Sequence, residues 1–191
     1  MLDRDVRTAL RARLDEAHAG ESDTLVVDEL DLCGVSRIDV AVINGALSGY
    51  EIKSAADTLR RLPAQADVYS RIFDHVVVVA ANKHIDHVLE TCPNWWGLCV
   101  ADWHEGRLTL MDVRRPGMNP SPEASHLVQL LWRDEALSAL DSFGLASGIR
   151  SKPRKQLWDR LASELELSEV QSIVRSALKR RTAWRGSLPP R

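Results

Sequence analysis

Residues 37–53, RIDVAVINGALSGYEIK, constrain the fold of this chain more than any other stretch. Two apolar runs, 38–43 and 47–53, flank an Asn44–Gly45 turn signal and read as an antiparallel hairpin. Side chains two apart on a strand share a face, so Glu51 and Lys53 emerge together while Ile52 turns away. The register then decides where Asp39 goes. A two-residue type I′ loop sets Asp39 opposite Tyr50, on the wrong face from Glu51. A three-residue loop over 43–45, with Gly45 left-handed, returns Asp39 to the face of Gly49, Glu51 and Lys53. One residue of slip swaps every side chain between faces. Only the three-residue register sends Ile38, Val40, Val42, Tyr50 and Ile52 together to a buried face, so the apolar and polar patterns select the same pairing.

The surrounding segments supply the rest of a sheet. Residues 3–18 have the spacing of an amphipathic helix, with Asp3 as cap and Val6, Leu10 and Leu14 on one stripe. An extended segment follows at 24–32. After the hairpin, Asp57 is a helix cap and Pro63 sits near a helix start. HVVVVAA, 75–81, is the continuous β-branched run of a strand buried on both faces. A short helix at 83–90 leads to two more strands joined around Glu105–Gly106. The order is α-β-β-β-α-β with further strands, which predicts an α/β fold with a mixed central sheet and helices on its faces. Residues 1–113 form this core, and 114–125, with three prolines, read as a linker. Residues 126–191 are purely helical: one helix over 126–143 ending at Gly144, one after a Ser151 cap, and one opening on Ser168 and Gln171 at capping-box spacing.

Composition narrows the class. The 191 residues are 45% hydrophobic and 27% charged, with a net charge of −2, so any nucleic-acid footprint must be local. Cys33, Cys92 and Cys99 are odd in number and lack CxxC spacing, which predicts reduced thiols in a cytoplasmic protein. The charged N-terminus is no signal peptide, and no apolar run approaches the roughly 20 residues of a membrane span. No GxSxG, P-loop or GxGxxG is present.

Asp39, followed by Glu51–Ile52–Lys53 on the next strand, resembles the signature of the PD-(D/E)XK nuclease superfamily, with Ile38 where proline usually precedes the acid. Gln65 and Tyr69 on the following helix resemble the QxxxY element of its RecB-type members. The likeness covers roughly residues 20–103 and implies a restriction-endonuclease-like core. It further implies a DNA phosphodiesterase using Mg²⁺, or Mn²⁺ in its place, in repair, recombination, mobile-element or defence processes. By that resemblance Asp39, Glu51 and the Ile52 carbonyl hold the metal, with Glu29 as a third acid. Lys53 is the catalytic amine, and Gln65 and Tyr69 position it or a phosphate. The chemistry is coherent: Mg²⁺ takes hard oxygen ligands and keeps several waters, lowers the pKa of a bound water and neutralises developing charge. Arg61, one helical turn before Gln65, is placed to touch backbone phosphates. A pairing of two copies, or a larger repair or defence complex, is the expected assembly.

Other readings stay open. The same residues can form an ordinary cross-strand ion pair on a solvated face, and Gln65 with Tyr69 a simple i, i+4 pair. His84 and His87 have metal-like spacing but no third ligand nearby. Trp95–Trp96 suit the closing of one core end. From 150 onward, basic residues including Arg154, Lys155, Arg175, Lys179, Arg180, Arg181, Arg185 and Arg191 outnumber acids. The helices 153–165 and 169–181 follow one another as in a helix-turn-helix, so the outward arginines are expected to meet nucleic acid. A non-catalytic nucleic-acid-binding module and a protein-interaction subunit are the competing functions.

Overall fold

The computed structural model describes residues 1–32 and 34–181; Cys33, Arg185 and Arg191 lie outside the described residues. Strands β1 (Leu25–Leu32), β2 (Ser36–Ile43), β3 (Leu47–Lys53), β4 (His75–Ala81), β5 (Gly97–His104) and β6 (Arg107–Arg114) form one sheet in chain order. The first three and the last pair are antiparallel, whereas β3–β4 and β4–β5 are parallel. Parallel neighbours need crossovers, which α2 (Leu62–Ser70) and α3 (Ile85–Thr91) provide. The fold is the expected mixed α/β architecture with C-terminal helices. Val76–Ala81 are buried throughout, as a strand covered on both faces must be.

Helix α1 (Asp3–Ala17) covers one face, where Val6, Leu10 and Leu14 pack against Val40, Val42, Ile52, Val77, Val79, Cys99 and Ala101. Each such buried aliphatic side chain contributes about 1.5–3 kcal/mol. Trp96 is fully buried and stacks on Tyr69 with ring centroids 6.0 Å apart, closing the core beneath α2. No helix of the described residues is long and apolar enough to cross a membrane.

The β2–β3 loop has three residues, as the pattern required, but they are 44–46: Ile43 pairs with Leu47 and Val40 with Tyr50. The same register puts Asp39 level with Glu51. Gly45 is not left-handed. Asn44 closes the loop instead, its Oδ1 accepting the Ala46 N–H at 3.0 Å, since an asparagine side chain can imitate a backbone turn. Ile38 also departs from expectation. A Cβ on Gly49 would lie 2.7 Å from Ile38 Cδ1 and 3.1 Å from the Phe73 ring, so Ile38 packs on the α2 side rather than with Val40. The alternation slips at Asp39, whose carboxylate accepts a backbone N–H from β3. Glu29, at the same level of β1, has φ 54 and bends the neighbouring strand there. Gly49 therefore holds space that Ile38 and Phe73, both fully buried, cannot yield. Gly49→Val is expected to lower stability by about 1–3 kcal/mol through overpacking, read as a shift of the urea midpoint at constant slope.

The chain divides into two compact units, Met1–Glu123 and Ala124–Arg191. The proline-rich segment expected as a linker is tied to the first of them. Asn119 donates from its side chain to the Ser70 and Phe73 carbonyls, each at 2.7 Å, and Gly117 N–H donates to the Trp95 carbonyl. The second unit holds α4 (Ala124–Leu127), a 3₁₀ turn (Val128–Leu130), α5 (Arg133–Ser142), α6 (Arg154–Glu164) and α7 (Leu167–Arg180). The single helix expected over 126–143 is interrupted, because Leu131 and Trp132 are extended. Glu135 then caps the new start by accepting the Trp132 N–H at 2.6 Å. Helix α7 is capped by Glu169 on the Glu166 N–H, not by the Ser168–Gln171 pair.

Candidate active site

Four of the five expected catalytic side chains meet in one buried cluster. Glu51 and Lys53 lie on the α2 side of β3, near its C-terminal end, and α2 presents Gln65 and Tyr69, one turn apart, against them. Lys53 Nζ donates to Glu51 Oε1 at 2.7 Å and to Gln65 Oε1 at 2.9 Å. Gln65 Nε2 donates to the same Glu51 oxygen at 2.6 Å. The amide can face only one way here, since the ammonium needs an acceptor and the carboxylate a donor. Tyr69 Oη lies 2.8 Å from Glu51 Oε2 and 2.9 Å from the Arg37 carbonyl, so its one proton serves either acceptor. Lys53 keeps a third N–H that neither Glu51 nor Gln65 uses.

Glu51 is 3% exposed and Lys53 4%, so this is an ion pair taken out of water rather than a solvated cross-strand pair. Burial, followed by the nearby charge of Asp39, holds the Glu51 carboxyl above the usual carboxylate range despite Lys53. Burial and the Glu51 charge push the Tyr69 phenol far up, which keeps it a proton donor. Burial also drives the Cys92 thiol up to about 12 and Cys99 to about 11, which suits packing and not nucleophilic roles.

Asp39 stands beside the cluster, bridged between two elements. Its Oδ2 accepts the Ile52 N–H at 2.7 Å. The N–H and C=O of one strand residue leave on the same edge, so the Ile52 carbonyl faces the gap beside Asp39. From α1, Arg7 donates Nη2 to Asp39 Oδ1 at 2.8 Å, Nη1 to the Asp39 carbonyl at 2.7 Å and Nε to Asp3 Oδ1 at 3.3 Å. Sequence reasoning missed Arg7. It lies 32 positions from Asp39, and the helical period shows only that Arg7 follows the buried Val6. Burial raises the Asp39 carboxyl, and the Ile52 N–H and Arg7 only partly offset it.

This donor set fits a hard divalent cation. Asp39 accepts one hydrogen bond at each oxygen, from Arg7 at Oδ1 and from the Ile52 backbone N–H at Oδ2, and Glu51 Oε2 accepts only the tyrosine hydroxyl, so lone pairs remain on both carboxylates. The charge of Asp39 also reaches the buried Glu51 carboxyl and raises it, a repulsion that a cation relieves. Glu29 does not join them. Its half-exposed side chain pairs with Arg37 at 3.2 Å, and the left-handed backbone at Glu29 marks the bend of β1. Among the described residues no three His, Cys, Asp or Glu side chains gather closely enough to hold a metal ion. Two carboxylates, with carbonyl and water to complete the shell, are what this chain offers.

The expected nucleic-acid contacts separate into kinds. Arg61 is exposed where α2 begins. Arg154 is exposed and stacks its guanidinium 4.3 Å over Trp158, while exposed Lys155 pairs with Asp159 at 3.0 Å. Arg180 is exposed at the end of α7, and Arg175 and Lys179 are partly buried and have partners. Arg181 departs from the expected outward placement. Its side chain is 5% exposed, fixed by Glu135 and lying over Trp132.

The family model described as Bacteriophage P4 protein cII matches residues 2–185. Protein cII of Enterobacteria phage P4 is 24% identical over 161 residues, which cover 84% of this chain but 60% of that protein. The chain thus spans about 60% of the length of this relative. Among solved structures, a protein of unknown function from Silicibacter pomeroyi matches over 78% of this chain and 94% of its own, at 19% identity and a TM-score of 0.48. SfsA of Pyrococcus furiosus in complex with Ca²⁺ matches over 60% and 64%, at 12% identity and a TM-score of 0.38.

Proposed function

This chain belongs to the bacteriophage P4 protein cII family, and on that premise we propose that its sheet unit is a metal-dependent nuclease hydrolysing DNA phosphodiester bonds. The observation that carries the reading is the buried Glu51–Lys53–Gln65–Tyr69 cluster lying beside Asp39. Mg²⁺ or Mn²⁺ is the cofactor, held by Asp39, Glu51 and the Ile52 carbonyl, and when bound it supplies Lewis acidity and a water of lowered pKa. The protein's own part is positioning. Gln65 and Tyr69 fix the Glu51 rotamer, and Glu51 with Gln65 aims the Lys53 ammonium. The spare Lys53 N–H then orients the attacking water or meets charge developing on the phosphate.

The charge distribution supports DNA as substrate. Met1–Glu123 carries thirteen Lys and Arg against twenty Asp and Glu, whereas Ala124–Arg191 carries twelve against seven. An acidic catalytic unit repels a polyanion, so attraction falls to the helical unit, through Arg154, Lys155, Arg175, Lys179 and Arg180. The family match spans both units. A relative from a phage favours mobile-element processes over housekeeping repair.

One observation favours a second reading, a non-catalytic DNA-binding module. Every charge in the site already has a partner, Arg7 for Asp39 and Lys53 for Glu51. A panel of linear, nicked, branched and single-stranded DNAs with Mg²⁺ or Mn²⁺ separates the two. Cleavage that a chelator stops, and that Asp39→Asn and Glu51→Gln each reduce by about 10²-fold or more, is the expected result. Salt-dependent binding without cleavage of any substrate would leave the module reading standing.

A further inference from the structure

Arg7 meets Asp39 in a way that bears on how the site is charged. Its guanidinium spends three N–H groups on two aspartates, two of them on the side chain and carbonyl of Asp39. The pair is not sealed in, since both side chains are 23% exposed. Nor is α1 anchored by it: Val6, Leu10 and Leu14 hold the helix against the sheet. The guanidinium can therefore leave Asp39 without the helix leaving the sheet.

Charge counting gives the consequence. Glu51 with Lys53 is a neutral pair, whereas Arg7 is shared by Asp39 and Asp3 and leaves that group with a net charge of −1. A divalent cation entering beside Asp39 meets a guanidinium already on one of its ligand oxygens, and like charges that close repel even at a partly exposed site. Both cannot hold Asp39 at full strength. We propose that Arg7 and the divalent cation are alternative partners of Asp39, so that Arg7 holds the carboxylate in the metal-free protein and sets the metal concentration at which the site loads. The inference rests on the metal-dependent reading above and assigns to it a residue from outside the D…ExK motif.

Mn²⁺ binding to the full chain, followed by the electron paramagnetic resonance signal of free Mn²⁺, reads this without any DNA or turnover. Arg7→Gln is expected to bind Mn²⁺ about tenfold more tightly than the unmodified chain. Arg7→Lys, which keeps the charge but loses the planar fork, is expected to fall between the two and serves if the glutamine variant folds poorly. Asp39→Asn should weaken binding. If the Arg7 variants bind no more tightly while Asp39→Asn loses binding, the competition is refuted and the metal site survives. If no variant binds at millimolar Mn²⁺, or Asp39→Asn binds normally, the metal-dependent reading falls and this inference with it.

Discussion

Replacing Lys53 by methionine is expected to lower the stability of the sheet unit by about 3–5 kcal/mol near neutral pH, the usual cost of orphaning one partner of a buried pair. Methionine keeps the apolar stem and removes the ammonium that donates to Glu51 and Gln65. The Glu51 carboxylate, 3% exposed, then has no cation of its own. Its carboxyl is already held above the usual range by burial and by Asp39, and without Lys53 it rises further. A carboxyl whose pKa is higher folded than unfolded binds more protons in the folded state across that window. Stability therefore falls as pH rises from the ordinary carboxylate range through the raised one. The deficit of Lys53→Met should accordingly shrink on acidification. Adding Glu51→Gln removes the orphaned charge yet leaves an amide oxygen for Gln65, so the double variant should recover most of the loss. Urea unfolding of the four proteins closes the cycle. Cleavage behaves differently: both variants lacking Lys53 should lose about 10²–10⁴-fold, the usual worth of a positioned proton-transfer group. The double variant also lacks a proposed metal ligand, so the single Lys53→Met variant, assayed where it is folded and still binds Mn²⁺, distinguishes a catalytic amine from a structural one. If the single variant is as stable as the unmodified chain, Lys53 is not the counter-charge that the geometry makes it.

The hairpin and its face were legible in the sequence because two independent patterns demanded one parity. The apolar alternation needed Val40, Val42 and Ile52 together, and the polar one needed Asp39 beside Glu51. Strand β4 was legible for a similar reason, since an unbroken run such as HVVVVAA has no solvated face. What escaped was long-range or local in ways that period does not carry. Arg7 reaches Asp39 only because α1 packs on the sheet face of Val40, Val42 and Ile52, a tertiary fact. Ile38 changes face because a side chain, not a strand, accepts the Ile52 N–H at that point. Asn44 closes a loop that Gly45 could also have closed. Glu29 looked like a third ligand by its position in chain order, but its left-handed backbone and its pairing with Arg37 leave it outside the carboxylate pair. Helix 126–143 was over-read because its apolar residues stay periodic through the extended Leu131–Trp132 step.

Arg181 shows how a basic tail can mislead, and its removal has a second large expected effect. Nε and Nη2 of Arg181 donate to the two Glu135 oxygens at 2.7 and 2.6 Å, and Nη2 also reaches the Leu130 carbonyl at 2.6 Å. The same guanidinium lies 4.3 Å from the Trp132 ring centroid. Arg181→Met keeps volume over Trp132 but leaves Glu135, 17% exposed, without its cation, so the helical unit should lose about 3–5 kcal/mol. The pH dependence is opposite in sign to that of Glu51. Burial pushes the Glu135 carboxyl up, but the Arg181 hydrogen bonds and the Trp132 N–H more than offset it and leave it below its ordinary value. A carboxyl lowered on folding stabilises above its unfolded pKa, and that stabilisation is lost as pH falls through the folded one. Unfolding curves of the unmodified chain and of Arg181→Met should thus converge in acid, whereas near neutrality they stand apart. DNA binding supplies the other half of the test. A phosphate contact contributes about one unit to the slope of log affinity against log salt. Arg181→Met, assayed where it is folded, should leave that slope unchanged, while Arg154→Ala and Arg180→Ala should each reduce it. If the slope drops in Arg181→Met as in the exposed variants, the guanidinium faces DNA and the clasp with Glu135 is not its resting place.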